Sequence, residues 1–124
     1  MKQPVQTASA PKAIGPYSQA VAVGDFLFSS GQLGIDMQTG KLADGVEAQA
    51  KHAMRNVGEI LSAQGLSYGN IVKTTIFLKD MADFPVVNAV YQSFYTGDYP
   101  ARSTVQVAAL PLNACIEIEC IAVR

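Results

Sequence analysis

The sequence predicts an α+β domain in which two helices cover one face of a single mixed sheet. Short runs dense in β-branched and aromatic side chains recur at 19–23, 26–30, 71–79, 103–108 and 115–123, the composition of strands. Two other segments carry apolar residues at three- and four-residue spacing, which draws one stripe along a helix. The resulting order is β-β-α-β-α-β-β. Two helices cover only one face of such a sheet, so its other face is left for something else.

The first two runs are separated by Gly24-Asp25, and two residues with a leading glycine suit a type II′ hairpin turn. Gly31, Gly34 and Gly40 break up the next stretch, read as a loop with a short strand. Ala50, Ala53, Met54, Val57, Ile60 and Leu61 then form the stripe of the first helix. Asp44 with Glu47 approximates a capping box, and Gly65 stands where a glycine ends a helix. Residues 71–79 read as a buried strand. The second helix takes Asp83 as N-cap and Pro85 in its first turn, buries Val87, Val90, Tyr91 and Phe94, and stops at Gly97. The turn-rich LPLNA joins the last two strands.

At 124 residues the chain has the size of one domain, and no repeat or internal linker divides it. Residues 1–124 are therefore read as a single domain, with 1–13 as a polar N-terminal arm. Charged residues make up 15% of the chain against a usual share of about 25%, which points to surface covered by another subunit. The net charge is −1 with no basic cluster, so nucleic-acid binding is disfavoured. One histidine and two cysteines cannot fill a four-ligand Cys/His zinc site, and no metal is expected. Cys115 and Cys120 face opposite sides of an extended strand and cannot bridge. No signal-peptide segment and no long apolar span is evident, so a cytoplasmic chain without membrane contact is expected.

His52 falls with Asn56 and Glu59 opposite the apolar stripe and is expected to be solvated. Serine- or cysteine-histidine catalysis then has no base. SSGQ at 29–32 is not a nucleophile elbow, and the glycines lack a phosphate-cradling spacing. Arg102 is the only basic residue between Lys79 and Arg124. Its guanidinium fork suits bidentate capture of a carboxylate, although an ordinary salt-bridged arginine fits the position as well. Glu117 and Glu119 alternate with Ile116, Ile118 and Cys120, which puts both carboxylates on one strand face. Lining a cleft, a desolvated glutamate there can hold or activate a water; a half-buried strand with a wet polar face is the plainer explanation of the pattern. Taken singly, Tyr17, Ser30 and Asn88 read as turn, core or boundary residues. Cys120 is expected to be buried, and Cys115 shares the glutamate face.

IGPYSQA at 14–20, SSGQ at 29–32, NVGEIL at 56–61, VKTTIFLKDMADF at 72–84, VNAVY at 87–91, PARSTVQVAALP at 100–111 and IEIECIAV at 116–123 together resemble the RidA (YjgF) family. The similarity runs from about residue 12 to the end of the chain. It implies a chorismate-mutase-like α+β fold and a homotrimer whose sheets pack around a central barrel, with sites in clefts between subunits. It also implies hydrolysis of 2-imino acids, and of the enamine tautomers that feed them, to 2-keto acids and ammonia. No metal or organic cofactor is implied.

By resemblance, Arg102 binds the substrate carboxylate and Glu117 positions the attacking water. Tyr17, Ser30 and Asn88 line the cleft, and Gly31 offers a backbone contact. Thr104, where cysteine is common, contributes mainly through its backbone, and as a threonine it excludes a thiol nucleophile. The competing expectation is a trimer that binds a small carboxylate without turning it over, as a regulator or a chaperone-like or translation-inhibiting module. A ribonuclease is weaker still, given the acidic balance of charge.

Overall fold

The computed structural model describes residues 1–124. Its elements run β1 (Gln3–Val5), β2 (Ala20–Val23), β3 (Phe26–Ser29), β4 (Gln32–Leu33), β5 (Ile35–Asp36), β6 (Lys41–Leu42), α1 (Val46–Ser62), β7 (Ile71–Leu78), α2 (Phe84–Gln92), β8 (Ala101–Gln106) and β9 (Ile116–Val123). The main sheet has seven strands in the order β1-β2-β3-β9-β7-β8, with β4 also on β9, and β5–β6 form a separate hairpin. β7 and β8 pair in parallel with α2 as the crossover, and the other pairs are antiparallel. The sheet is mixed, as predicted.

Period two along β9 decides which face is which. Ile116, Ile118, Cys120 and Ala122 are buried under the helices, while Glu117, Glu119, Ile121 and Val123 look the other way. The helices supply Ala53, Met54, Ile60 and Leu61 from α1 and Val87, Val90 and Tyr91 from α2. Truncating one such side chain, Ile60 for example, costs about 2–5 kcal/mol. On the open face Phe26 and Phe28 stay exposed with rings 6.1 Å apart, alongside Ile121 and Val123 across the β3–β9 ladder. The β3 end of the open face is thus an apolar patch, with Glu117 and Glu119 further along β9 on the same side.

The hairpin turn forms where expected: Val23 pairs with Phe26, and Gly24 takes φ 56° without Asp25 following it into the left-handed region, as a type II′ turn requires. Gly65, at φ 71°, ends α1 in a Schellman motif, with Leu66 N–H donating to Leu61 and Gly65 N–H to Ser62. The start of α1 differs. Gly45 is its N-cap and no side chain bonds there; Glu47 pairs with Lys51 on the surface instead, so the capping box does not form. At α2 Pro85 sits in the first turn, but Asp83 makes no cap bond. Asp80 does the capping one turn earlier, accepting from Ala82 N–H. α2 also ends at Gln92, well before Gly97, and Phe94 packs on Tyr68 from beyond the helix.

Two further expectations are corrected. The arm is part of the sheet: β1 pairs with β2, and Val5 and Ala10 are buried. Gln19, 4% exposed, fastens it, donating to the carbonyls of Thr7, Ala10 and Pro11 and accepting from Thr7 N–H. The His52 face of α1 is likewise only partly wet: Glu59 is exposed, but its two companions are not. Asn56 is buried and donates to the Leu33 and Ile35 carbonyls, and His52, largely covered, lies 3.8 Å from Asp36. Backbone carbonyls of the β4–β5 stretch need donors, and an amide on the helix supplies them.

Candidate active site

The residues singled out from the sequence fall into two groups on opposite faces of the sheet. Arg102 pairs with Thr74 across the β7–β8 ladder, and Thr74 in turn faces Cys120 in the buried layer. Arg102 therefore projects on the helix side. Glu117 pairs with Phe77, three residues further along β7, and projects on the open side. No ion pair joins them within one chain.

The first group is a cation held by α2. Phe84, Asn88 and Tyr91 stand at i, i+4 and i+7 and share one helical face. Asn88 Oδ1 accepts from Arg102 Nη1 at 2.8 Å. The guanidinium carbon lies 5.2 Å from the Phe84 ring centre and 5.1 Å from that of Tyr91, within cation–π range. Arg102 has no carboxylate partner in the chain, and a cleft of about 500 Å³ lined by Asn88, Tyr91, Gln92, Tyr99, Pro100 and Arg102 opens beside it. A planar, immobilised cation of this kind is built to take an anion.

The second group is a carboxylate held against backbone. A Cβ placed on Gly31 would come within 2.6 Å of Glu117 Cδ and 2.9 Å of its Oε2, so only glycine lets the carboxylate lie there. Glu117 is half-buried, and burial, with the charge of Glu119 beside it, holds its carboxyl above the usual glutamate range. Ser30, next to Gly31, donates its Oγ proton to the Ser18 carbonyl at 2.6 Å, and its N–H bonds the Gln19 carbonyl. That ties the Tyr17–Gln19 loop to the Gly31 corner. Tyr17 itself is 52% exposed.

The side chain of Thr104 joins neither group. It pairs with Ile76 on the helix side, and its Oγ1 is buried without a hydrogen-bond partner. Whatever this position offers a ligand comes from its backbone. Cys120 is buried, which pushes its thiol up to about 11, far from a reactive thiolate at neutral pH. Reading the residues singly passed over Phe84 and Tyr91 as site-builders. Their i, i+7 spacing around Asn88 is the available signal, but Tyr91 reads as part of the buried stripe of the helix, and Phe84 falls outside that stripe.

The Endoribonuclease L-PSP family profile matches residues 7–124. Reactive Intermediate Deaminase A, chloroplastic, from Arabidopsis thaliana is 53% identical over 122 residues, 98% of this chain but only 65% of that protein. The 2-iminobutanoate/2-iminopropanoate deaminase of Salmonella typhimurium is 50% identical over 127 residues, covering 100% of this chain and 99% of that protein. Among solved structures, E. coli TdcF with bound serine superposes with a TM-score of 0.95 at 46% identity over 98% of both chains. The chain belongs to the RidA (YjgF) family.

Proposed function

We propose that this chain is a 2-imino-acid deaminase that hydrolyses 2-iminobutanoate- and 2-iminopropanoate-like substrates, and their enamine tautomers, to 2-keto acids and ammonia. The observation that carries this is the Arg102 guanidinium, stacked on two rings and bonded to Asn88 yet without any acidic partner. Such a group is set to receive the carboxylate common to all 2-imino acids. Similarity to named deaminases and to a solved relative holding serine, itself a small 2-amino acid, supports the same substrate class.

The chemistry needs little more. An imine carbon is electrophilic, most so with its nitrogen protonated. Glu117 orients one water and takes its proton as the oxygen adds to carbon; that proton passes to nitrogen, and the tetrahedral adduct collapses to C=O with loss of ammonia as Glu117 takes up the remaining hydroxyl proton. A carboxylate that binds protons more tightly than usual suits both taking and returning one. Tyr17, Ser30 and the Gly31 backbone line the water side, and Asn88 and the Thr104 backbone the carboxylate side. No cofactor is assigned a part.

Because Arg102 and Glu117 project from opposite faces of one sheet, the working site is completed between copies of the chain. The trimer is inferred from the family resemblance. The face that carries exposed Phe26 and Phe28 beside half-buried Ile121 and Val123 is the surface such an assembly would cover. No helix is long and apolar enough to cross a membrane, and a cytoplasmic setting fits a chain handling short-lived metabolites.

The test is ammonia and keto-acid release from imino acids made in situ by an amino-acid oxidase. Wild type accelerates release and Arg102→Ala does not, while both sediment at three times the 13.2 kDa of one chain. Undiminished turnover by Arg102→Ala would remove the carboxylate anchor. Binding of 2-oxobutanoate without ammonia release from wild type would instead make the protein a carboxylate-binding module.

A further inference from the structure

Arg102 lies on β8, a strand paired on one side only, and a long side chain at a sheet edge has much rotamer freedom to lose. The bond from Nη1 to Asn88 pins one nitrogen but leaves the guanidinium free to swing about that contact. What fixes its plane is the aromatic surface beneath it. Phe84 and Tyr91 both contribute, but they are held differently. Phe84 is partly exposed at the start of α2, whereas Tyr91 is 4% exposed and packs against Tyr95 at 4.9 Å between ring centres.

The Tyr91 hydroxyl reaches through the buried layer to Thr74 Oγ1, 2.7 Å away. Thr74 is 1% exposed on β7 and is the direct ladder neighbour of Arg102. The contacts therefore close on themselves: Arg102 beside Thr74, Thr74 bonded to Tyr91, Tyr91 against the Arg102 guanidinium, and Asn88 on the same helical face closing the bond to Nη1. A valine and a phenylalanine would fill these two places without burying hydroxyls, whose desolvation is unfavourable unless they are paired. Packing alone gives no reason for the pair. Aligning the cation does, and a hydrogen bond in a dry interior holds its geometry tightly.

We propose that Tyr91, locked by its buried hydrogen bond to Thr74, is a positioning residue that sets the plane of the Arg102 guanidinium and through it the orientation of the substrate carboxylate. The inference rests on the reading of Arg102 as carboxylate anchor, and the experiment separates the two. In the full-length assembled protein, Thr74→Val, Thr74→Ser, Tyr91→Phe and the Thr74→Val/Tyr91→Phe pair are compared with Arg102→Ala. The readouts are KM and kcat for ammonia release, Kd for 2-oxobutanoate by calorimetry, and thermal melts.

Thr74→Val and Tyr91→Phe are expected each to raise KM and Kd about five- to tenfold, the worth of one aligned hydrogen bond, with kcat changed less. The double variant is expected to be no worse than either single, since both remove the same bond. Thr74→Ser, which keeps the hydroxyl, recovers most of the wild-type KM. Variants that melt earlier yet bind 2-oxobutanoate as wild type does would show the pair to be structural and overturn the proposal. Should Thr74→Val fail to fold, Tyr91→Phe tests the same bond from the other end. Wild-type 2-oxobutanoate affinity in Arg102→Ala would instead overturn the anchor itself, and with it any positioning role.

Discussion

The corner between β8 and α2 and the corner between β4 and β9 hold their charges in contrasting ways. Arg102 is clasped by two rings and an amide on one helix, so within a single chain its direction is already set. Glu117 has no hydrogen bond or ion pair; it rests on the bare Cα of Gly31 and is half-desolvated. A cation loses little when stacked on aromatic faces, because the rings replace part of its hydration. A carboxylate laid on backbone without donors stays reactive and loosely held. On the proposed function, Arg102 is then a rigid receptor and Glu117 a loosely held group awaiting its counterpart.

The strongest way to break that comparison is to separate the halves. Arg102→Ala and Glu117→Gln are each expected to be inactive alone. If the working site takes Arg102 from one copy and Glu117 from its neighbour, unfolding and refolding the two variants together restores intact sites in about a quarter of the interfaces, as random mixing in a ring dictates. Recovery of ammonia release towards that fraction is expected. A mixture as dead as its parents would mean that both groups act from the same chain, against their opposite projection here.

Next in size is Gly31→Ala. The added methyl would sit 2.6–2.9 Å from the end of the Glu117 side chain, a flexible group that can move aside. Stability should therefore change little, while the displaced carboxylate lowers kcat by about ten- to a hundredfold, as misplacement of a reacting group by an ångström does. Equal losses in melting temperature and activity would show that Gly31 serves the fold instead.

The pH dependence sharpens the same contrast. The folded chain holds the Glu117 proton more tightly than the unfolded chain, whose glutamate titrates near 4.5. The contribution of this group to stability is thus complete below that value and is lost as pH rises through the raised one. Glu117→Gln is expected to melt higher than wild type above this window while losing turnover. The acidic limb of kcat/KM should lie above the ordinary glutamate value. Glu119→Gln removes the smaller cause, leaving burial, so it should lower that limb modestly. A limb that ignores Glu119 would mean that the charge on its neighbour is screened in the assembly.

How much of this was legible in the sequence follows from where each signal lives. Period two along 116–123 and the stripe from Ala50 to Leu61 report burial directly, so β9 and α1 were plain. The caps were misread because Asp44, Asp80 and Asp83 all precede helical turns, and which one bonds depends on a backbone angle that no residue type encodes. Gln19, Gln49 and Asn56 were invisible for a different reason. An amide buried to satisfy loop backbone has the same letter as one in water; Gln49, for example, donates to the Ala43 carbonyl and accepts from Cys115 N–H, 66 residues further along the chain. Arg102 and Glu117 were visible as candidates, but their opposite projection is a property of strand register and needed the fold.

The smallest expected effect lies between the two corners. Thr104 brings a hydroxyl to the helix side of β8, opposite Ile76, where Oγ1 is buried and unpaired. A hydroxyl without a partner loses its water and gains nothing in return. Thr104→Val keeps the branched shape and strand preference and removes that hydroxyl, so it should stabilise the fold by about 1 kcal/mol, or about 3–5 °C in Tm. Because only the backbone of this residue is available to a ligand, KM and kcat should stay near wild type. If the valine variant melts no higher but turns over more slowly, the hydroxyl has a partner in the assembled protein, and the carboxylate corner extends one residue further along β8 than the single chain shows.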